Sequence, residues 1–166
     1  MASIVFIGAG LGGMAGAYEM HDAVGDKHKV IVINERESFQ FVPSNPWLAV
    51  GWREAEQISF PIRPYLEKKG IEFIAKRVDE IDPIAKKVTL NDSTQVDYDY
   101  LVISTGPRLA FEEVPGAGPH GGFTQSICTL DHAQQAHEDF KKLLENPGPV
   151  VIGAMPGASC FGPAYE

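Results

Sequence analysis

Apolar residues in this chain fall into short unbroken runs, rich in β-branched side chains and separated by glycine, proline and polar turns. The runs at 3–7, 30–34, 71–75 and 100–103 are too short for helices and lack the alternation of a half-exposed strand. They predict strands covered on both faces, as in a parallel sheet. Between the first two, Met14, Ala17 and Tyr18 keep helical spacing and predict a helix over 12–23 that stops near Gly25. His21 lies on that stripe as a packed or surface histidine. Ile62, Tyr65 and Leu66 predict a short crossover helix within 58–69, with Pro61 near its start and Lys68, Lys69 and Gly70 at its end.

Residues 78–98 change period. Val88 and Leu90 alternate with polar neighbours ahead of a turn at Asn91-Asp92-Ser93, the pattern of a β-meander. The stretch 39–52 holds several aromatics, follows neither period, and is interrupted by Pro43 and Pro46, so it predicts an ordered loop. Residues 109–122 are rich in Pro and Gly and read as a linker. Thr129 then suits a helix N-cap, and Ala133, Ala136, Phe140, Leu143 and Leu144 continue the helical period until Asn146-Pro147-Gly148. A further strand is predicted at 149–152, followed by a second glycine-rich turn.

These elements alternate as an α/β fold does. They predict a Rossmann-like, three-layer domain with a β-meander over 1–109, and the beginning of a second dinucleotide-binding-like domain over 110–166. Short right-handed crossovers leave few strand orders open. The expected one places the third strand beside the second, the second beside the first, and the first beside 101–104, with the meander to one side.

The first strand runs straight into Gly8-Ala9-Gly10-Leu11-Gly12-Gly13 and then a helix. In this setting Gly8 permits the tight turn, Gly10 lets backbone approach a diphosphate, and Gly13 lets the helix pack close to the strand. Glu35 ends the second strand, where a carboxylate can hold the adenosine ribose hydroxyls. A meander where a simple nicotinamide-binding half would place another helix favours a flavin dinucleotide. In the second turn the corresponding register reads Gly153, Met155 and Ala158, so a methionine side chain stands where the diphosphate must approach backbone. This predicts that no nicotinamide site forms there.

Composition narrows the partners. The net charge of −8, from 22 acidic residues against 14 Lys and Arg, argues against a nucleic-acid partner. The N-terminus leads directly into the first strand and no apolar run approaches membrane-spanning length, so a cytoplasmic location is expected. Two cysteines, Cys128 and Cys160, make no disulfide scaffold, and no Cys or His spacing matches a metal site. Cys160 follows the second glycine turn, in the first turn of the helix expected there, where unpaired N–H groups and the helix dipole favour a thiolate.

The order of glycine turn, acid, meander and a strand ending Ser104-Thr105-Gly106 resembles the flavin domain of the two-dinucleotide-domain flavoproteins. The stretches 39–47, 125–129 and 153–163 resemble the bacterial sulfide:quinone oxidoreductase family in particular. That resemblance spans the whole chain and implies bound FAD, oxidation of hydrogen sulfide to a polysulfur product, and electron delivery to a membrane quinone. It implies FAD contacts from Gly8, Ala9, Gly10, Leu11, Gly12, Gly13, Asn34, Val42, Pro43, Arg77, Val78, Thr105 and Gly106, beside Glu35. It also implies that Cys160 pairs with a cysteine later in the chain and handles sulfur, with Cys128 near the same site and His132 relaying protons. The full-length protein would then be a homo-oligomer lying peripherally on the inner membrane, and this chain its N-terminal part, with an apolar sheet edge left uncovered.

Three other readings compete. The chain could belong to the flavoprotein subunit of a sulfide dehydrogenase that passes electrons to a cytochrome. It could resemble type II NADH dehydrogenase, against which Met155 weighs. Or it could be a flavin-binding module without turnover, its cysteines merely small buried hydrophobes.

Overall fold

The computed structural model describes residues 1–155. In chain order its elements are β1 (Ser3–Ile7), α1 (Leu11–Val24), β2 (Lys29–Asn34), β3 (Ser38–Gln40), α2 (Asn45–Ala49), β4 (Ser59–Pro61), α3 (Arg63–Lys68), β5 (Glu72–Ala75), β6 (Val78–Asp82), β7 (Lys87–Leu90), β8 (Gln95–Asp97), β9 (Tyr100–Ile103) and α4 (Leu130–Glu145). The chain forms two compact units, Met1–Gln40 with Ser59–Arg108, and Phe41–Ile58 with the residues from Leu109 onward.

The first unit is built on a four-stranded sheet in the order β5-β2-β1-β9. All its pairings are parallel, in the order the sequence predicts. The period-two geometry of a strand divides the apolar runs between two faces. Ile4, Phe6, Val30 and Val32 pack with Ala17 of α1, Phe39, Ile62 and Leu66 on one side. Val5, Ile7, Ile31 and Ile33 pack with Val88, Leu90 and Tyr98 from the meander on the other. Unbroken apolar runs are therefore required, since every residue from Ile4 to Ile7 and from Val30 to Ile33 meets a covered face. The β6-β7-β8 meander is antiparallel, as expected, with a register shift between Val78 and Glu80. Asp99 ties the start of β9 to β1, its carboxylate accepting from the Ser3 N–H at 2.7 Å and its own N–H donating to the Ser3 carbonyl at 2.9 Å. β9 is an outer strand of the sheet, and Tyr100 and Ile103 on it are exposed.

Three expectations are corrected. The predicted loop 39–52 contains regular structure: the end of β3, a 3-10 turn Val42–Ser44 and the short helix α2. Its prolines fall in the first positions of those turns, where a missing N–H costs nothing. The helix predicted within 58–69 begins only at Arg63, because Ser59–Pro61 pairs antiparallel with β3. Phe39 stacks on Phe60 there with ring centroids 4.7 Å apart. The strand predicted at 149–152 is irregular, and Val150, Val151 and Ile152 are exposed. No strand among the described residues pairs with it, so its backbone has no ladder to join.

In the second unit α4 is the main element. Thr129 caps it as predicted, its hydroxyl accepting from the His132 N–H at 3.2 Å. Its buried Ala133 packs with Leu48 of α2 and Ile58. Among the described residues, no helix is long and apolar enough to cross a membrane.

Candidate functional site

Parallel register brings the ends of four strands to one edge of the sheet. Ile7 pairs with Ile33 on one side and Ile103 on the other, and Asn34 pairs with Ala75. Gly8, Glu35, Arg77 and Thr105 all follow those carboxyl ends, where ligands of open α/β sheets bind. The glycines of the turn divide by function. Gly8 has φ +101°, and a Cβ on it would stand 2.4 Å from the Ser104 carbonyl oxygen. At Gly13 a Cβ would stand 1.9 Å from the Gly8 carbonyl oxygen, so α1 lies against the turn at a distance only glycine allows. Gly10 and Gly12 are exposed and a Cβ there would meet nothing within 4 Å. The first two glycines serve packing, and the second two leave open space above backbone.

That open side carries the free end of a helix. α1 has no side-chain cap at Gly10 and no acidic residue in its first turn. Its initial N–H groups and positive dipole end therefore meet neither a side-chain cap nor a carboxylate of their own turn. Around them, Ala9 donates its N–H to Asn34 Oδ1 at 3.0 Å, and Asn34 Nδ2 donates to the Arg36 carbonyl at 2.7 Å. Asn34 thus joins the glycine turn to the end of β2 through a side-chain contact. Glu35 is exposed. Arg77 donates to Asp79 Oδ1 at 2.8 Å, and that hydrogen bond, then the charges of Asp79 and Glu35, hold its guanidinium above the ordinary arginine value. Val78 is half-buried, and Thr105 and Gly106 are exposed with Gly106 at φ +73°. An uncapped helix start, exposed glycines and a carboxylate at the next strand end fit a dinucleotide diphosphate and ribose.

Ser104 has a role that its place in the sequence does not announce. Its hydroxyl lies 3.0 Å from the Ile7 carbonyl and 3.1 Å from that of Gly8, a shared donation that fixes the turn to β9. The only signal was its place in Ser104-Thr105-Gly106.

The remaining predicted residues belong to the second unit. Val42 and Pro43 are exposed in the 3-10 turn before α2. Cys128 is exposed just before the α4 cap, its N–H donating to Ser126 Oγ at 3.2 Å. His132, in the first turn of α4, has its Nε2 3.3 Å from Nε2 of His120, a residue the sequence did not flag. Burial, then the like charge of His120, hold His132 below the ordinary histidine value, while Asp131 pulls the other way. His137 is structural: its Nδ1 lies 3.3 Å from the Ala49 carbonyl, and its ring fills the space beside Gly51. Cys160 lies outside the described residues.

The family described as pyridine nucleotide-disulphide oxidoreductase matches residues 2–158. The chain is 48% identical over 163 residues to the sulfide-quinone reductase of Aquifex aeolicus (strain VF5), covering 98% of this chain and 37% of that protein. The X-ray structure of the sulfide:quinone oxidoreductase from the hyperthermophilic bacterium Aquifex aeolicus matches with a TM-score of 0.92 at 46% identity, covering 99% of this chain and 37% of that one. A mitochondrial sulfide:quinone oxidoreductase of Dictyostelium discoideum is 28% identical over 171 residues, 98% of this chain and 36% of that protein. The chain thus spans a little over a third of the length of these relatives.

Proposed function

This chain belongs to the pyridine nucleotide-disulphide oxidoreductase family, and from that premise we propose that it is the N-terminal part of an FAD-dependent sulfide:quinone oxidoreductase. The observation that carries the reading is near-complete coverage of this chain by a sulfide-quinone reductase at almost half identity. The glycine turn supports it from within the chain, since Gly10 and Gly12 leave a diphosphate room against the uncapped start of α1.

In this reading Gly8 to Gly13 hold the diphosphate, Glu35 the ribose hydroxyls, and Asn34 fixes both by bonding the turn to β2. Arg77, Val78, Thr105 and Gly106 border the same sheet edge. The flavin, when bound, supplies the acceptor for the electron pair removed from sulfide and the donor to a quinone. The chain's own chemistry falls to Cys160, whose thiolate attacks sulfur, with its partner cysteine later in the full-length protein. Cys128 stands near the product, and His132 moves the protons that sulfide oxidation frees. A quinone dissolves in lipid, so the full-length protein lies peripherally on the inner membrane from the cytoplasmic side, as a homo-oligomer. Met155 occupies the position a nicotinamide diphosphate would need, which favours this reading over an NADH dehydrogenase.

The test is the flavin spectrum of the full-length protein before and after sulfide. The band is expected to bleach, and Cys160→Ser is expected to retain flavin while losing sulfide-dependent quinone reduction. A flavin band indifferent to sulfide overturns the enzyme reading and leaves a binding module. Parental turnover in Cys160→Ser removes Cys160 from the mechanism.

A further inference from the structure

His120 and His132 meet nitrogen to nitrogen on the wall of a cavity of about 500 Å³, lined also by Pro119, Gln125, Asp131 and Gln135. Their Nε2 atoms are 3.3 Å apart and their ring centroids 5.3 Å apart. A contact of that length between two neutral imidazoles needs one proton between them, because two lone pairs facing each other repel. The second nitrogen decides who holds it. His132 Nδ1 is buried and has no hydrogen-bond partner among the described residues. A buried N–H without an acceptor is rarer than a buried lone pair without a donor. His132 is therefore protonated at Nε2 and donates to His120, leaving a bare lone pair at its buried Nδ1. His120 accepts at Nε2, carries its own proton on Nδ1, and is exposed.

We propose that His120 is the outer half of a two-imidazole proton relay that connects the buried Nδ1 of His132 with solvent. This rests on the sulfide-oxidising reading above, which gives the relay its protons. A proton taken up at His132 Nδ1 allows His132 to pass its Nε2 proton to His120 Nε2. His120 then carries a proton on each nitrogen and releases that on Nδ1 to water. One proton enters, one leaves, and no electrons move. The pair is left in the opposite tautomers, with an unpartnered buried N–H on His132, and a proton passing inward restores the start. Oxidation of hydrogen sulfide frees protons and reduction of a quinone consumes them, so alternating passages suit the turnover.

The surroundings keep the relay poised. The groups acting on His132 are His120, which once protonated opposes a second proton there, and Asp131, whose negative charge favours one. Phe111, with its ring centroid 5.7 Å from that of His132, adds an uncharged wall. Burial acts in the same direction as His120 and outweighs Asp131, so His132 stays neutral and able to accept near neutral pH.

The experiment uses the flavin-loaded full-length enzyme and its His120→Ala variant, following flavin reduction by sulfide in rapid mixing with and without added imidazole. The variant is expected to be slower by at least about tenfold, the lower range for a lost proton-transfer group. Imidazole in solution is expected to restore its rate in proportion to concentration and to leave the parent unchanged. A parental rate in the variant, or a deficit that imidazole does not touch, overturns the proposal. Should His120→Ala lose its flavin, His120→Gln keeps a polar partner for His132 and cannot titrate; it must be equally slow, and a parental rate refutes the relay. If sulfide fails to reduce even the parent flavin, the proposed function has failed, and nitrogen NMR of histidine-labelled protein still decides the pairing. There His132 should be protonated at Nε2 when neutral, and its titration should move upward in His120→Ala. No movement overturns the pairing.

Discussion

Two runs of this chain look alike on paper. Ser3–Ile7 and residues 150–152 are both β-branched, apolar and followed by glycine, yet Val5 is fully buried while Val151 is 96% exposed. The first run lies between β2 and β9, with α1 on one face and the meander on the other. The second has no pairing strand among the described residues. A strand is thus a property of neighbours as much as of the run itself, because its N–H and C=O groups need a ladder and its side chains need two covers.

The sharpest test of that contrast uses the glycines that follow each run. Gly13→Ala drives a Cβ to within 1.9 Å of the Gly8 carbonyl oxygen, a backbone clash that no rotamer relieves. It is expected to cost about 3 kcal/mol or more, the upper range of overpacking, and to abolish flavin retention. Gly153→Ala meets nothing within 4 Å and should change stability by less than about 0.5 kcal/mol. Urea denaturation of the two variants breaks the comparison if their costs are similar. A smaller effect separates the valines. Val5→Ala removes fully buried methyl groups and should cost about 2–3 kcal/mol, whereas Val151→Ala should stay within about 0.5 kcal/mol. A large loss from Val151→Ala would mean that its run is covered in solution.

The smallest effect extends the comparison to pH. His132 in the second unit is held below its ordinary 6.5, first by burial and then by His120. The unfolded chain therefore binds that proton first, so its contribution is complete above pH 6.5 and is lost as pH falls from there through the lowered folded value. In the first unit Asp92 is lowered from 3.8 to about 2, first by the hydrogen bond from Lys76 and then by those from Thr94. Its contribution is lost only as pH falls from near 3.8 toward 2. Amide-exchange protection, corrected for intrinsic pH dependence, should decline in α4 while β1 is still unaffected. Simultaneous loss in both units would refute the assignment.

Much of the first unit was legible because its signals are local. A run buried on both faces, a glycine turn that needs φ +101° at Gly8 and room for packing at Gly13, and an alternating meander each leave their own residue pattern. Those patterns, with the short crossovers, determined the strand order and the sheet edge where Gly10, Glu35 and Thr105 lie. Tertiary structure alone decided the rest. It turned the start of a predicted helix into β4, because Phe60 found Phe39 to pair with. Among the described residues it left 149–152 without a ladder. It gave Ser104 its task of fastening the glycine turn through two carbonyls almost a hundred residues away in sequence. It also brought His120, from a stretch that reads only as linker, onto His132 of α4. A side chain's partner across the fold leaves no periodicity behind it, so the sequence determines which chemistry is available and the packing determines which groups meet.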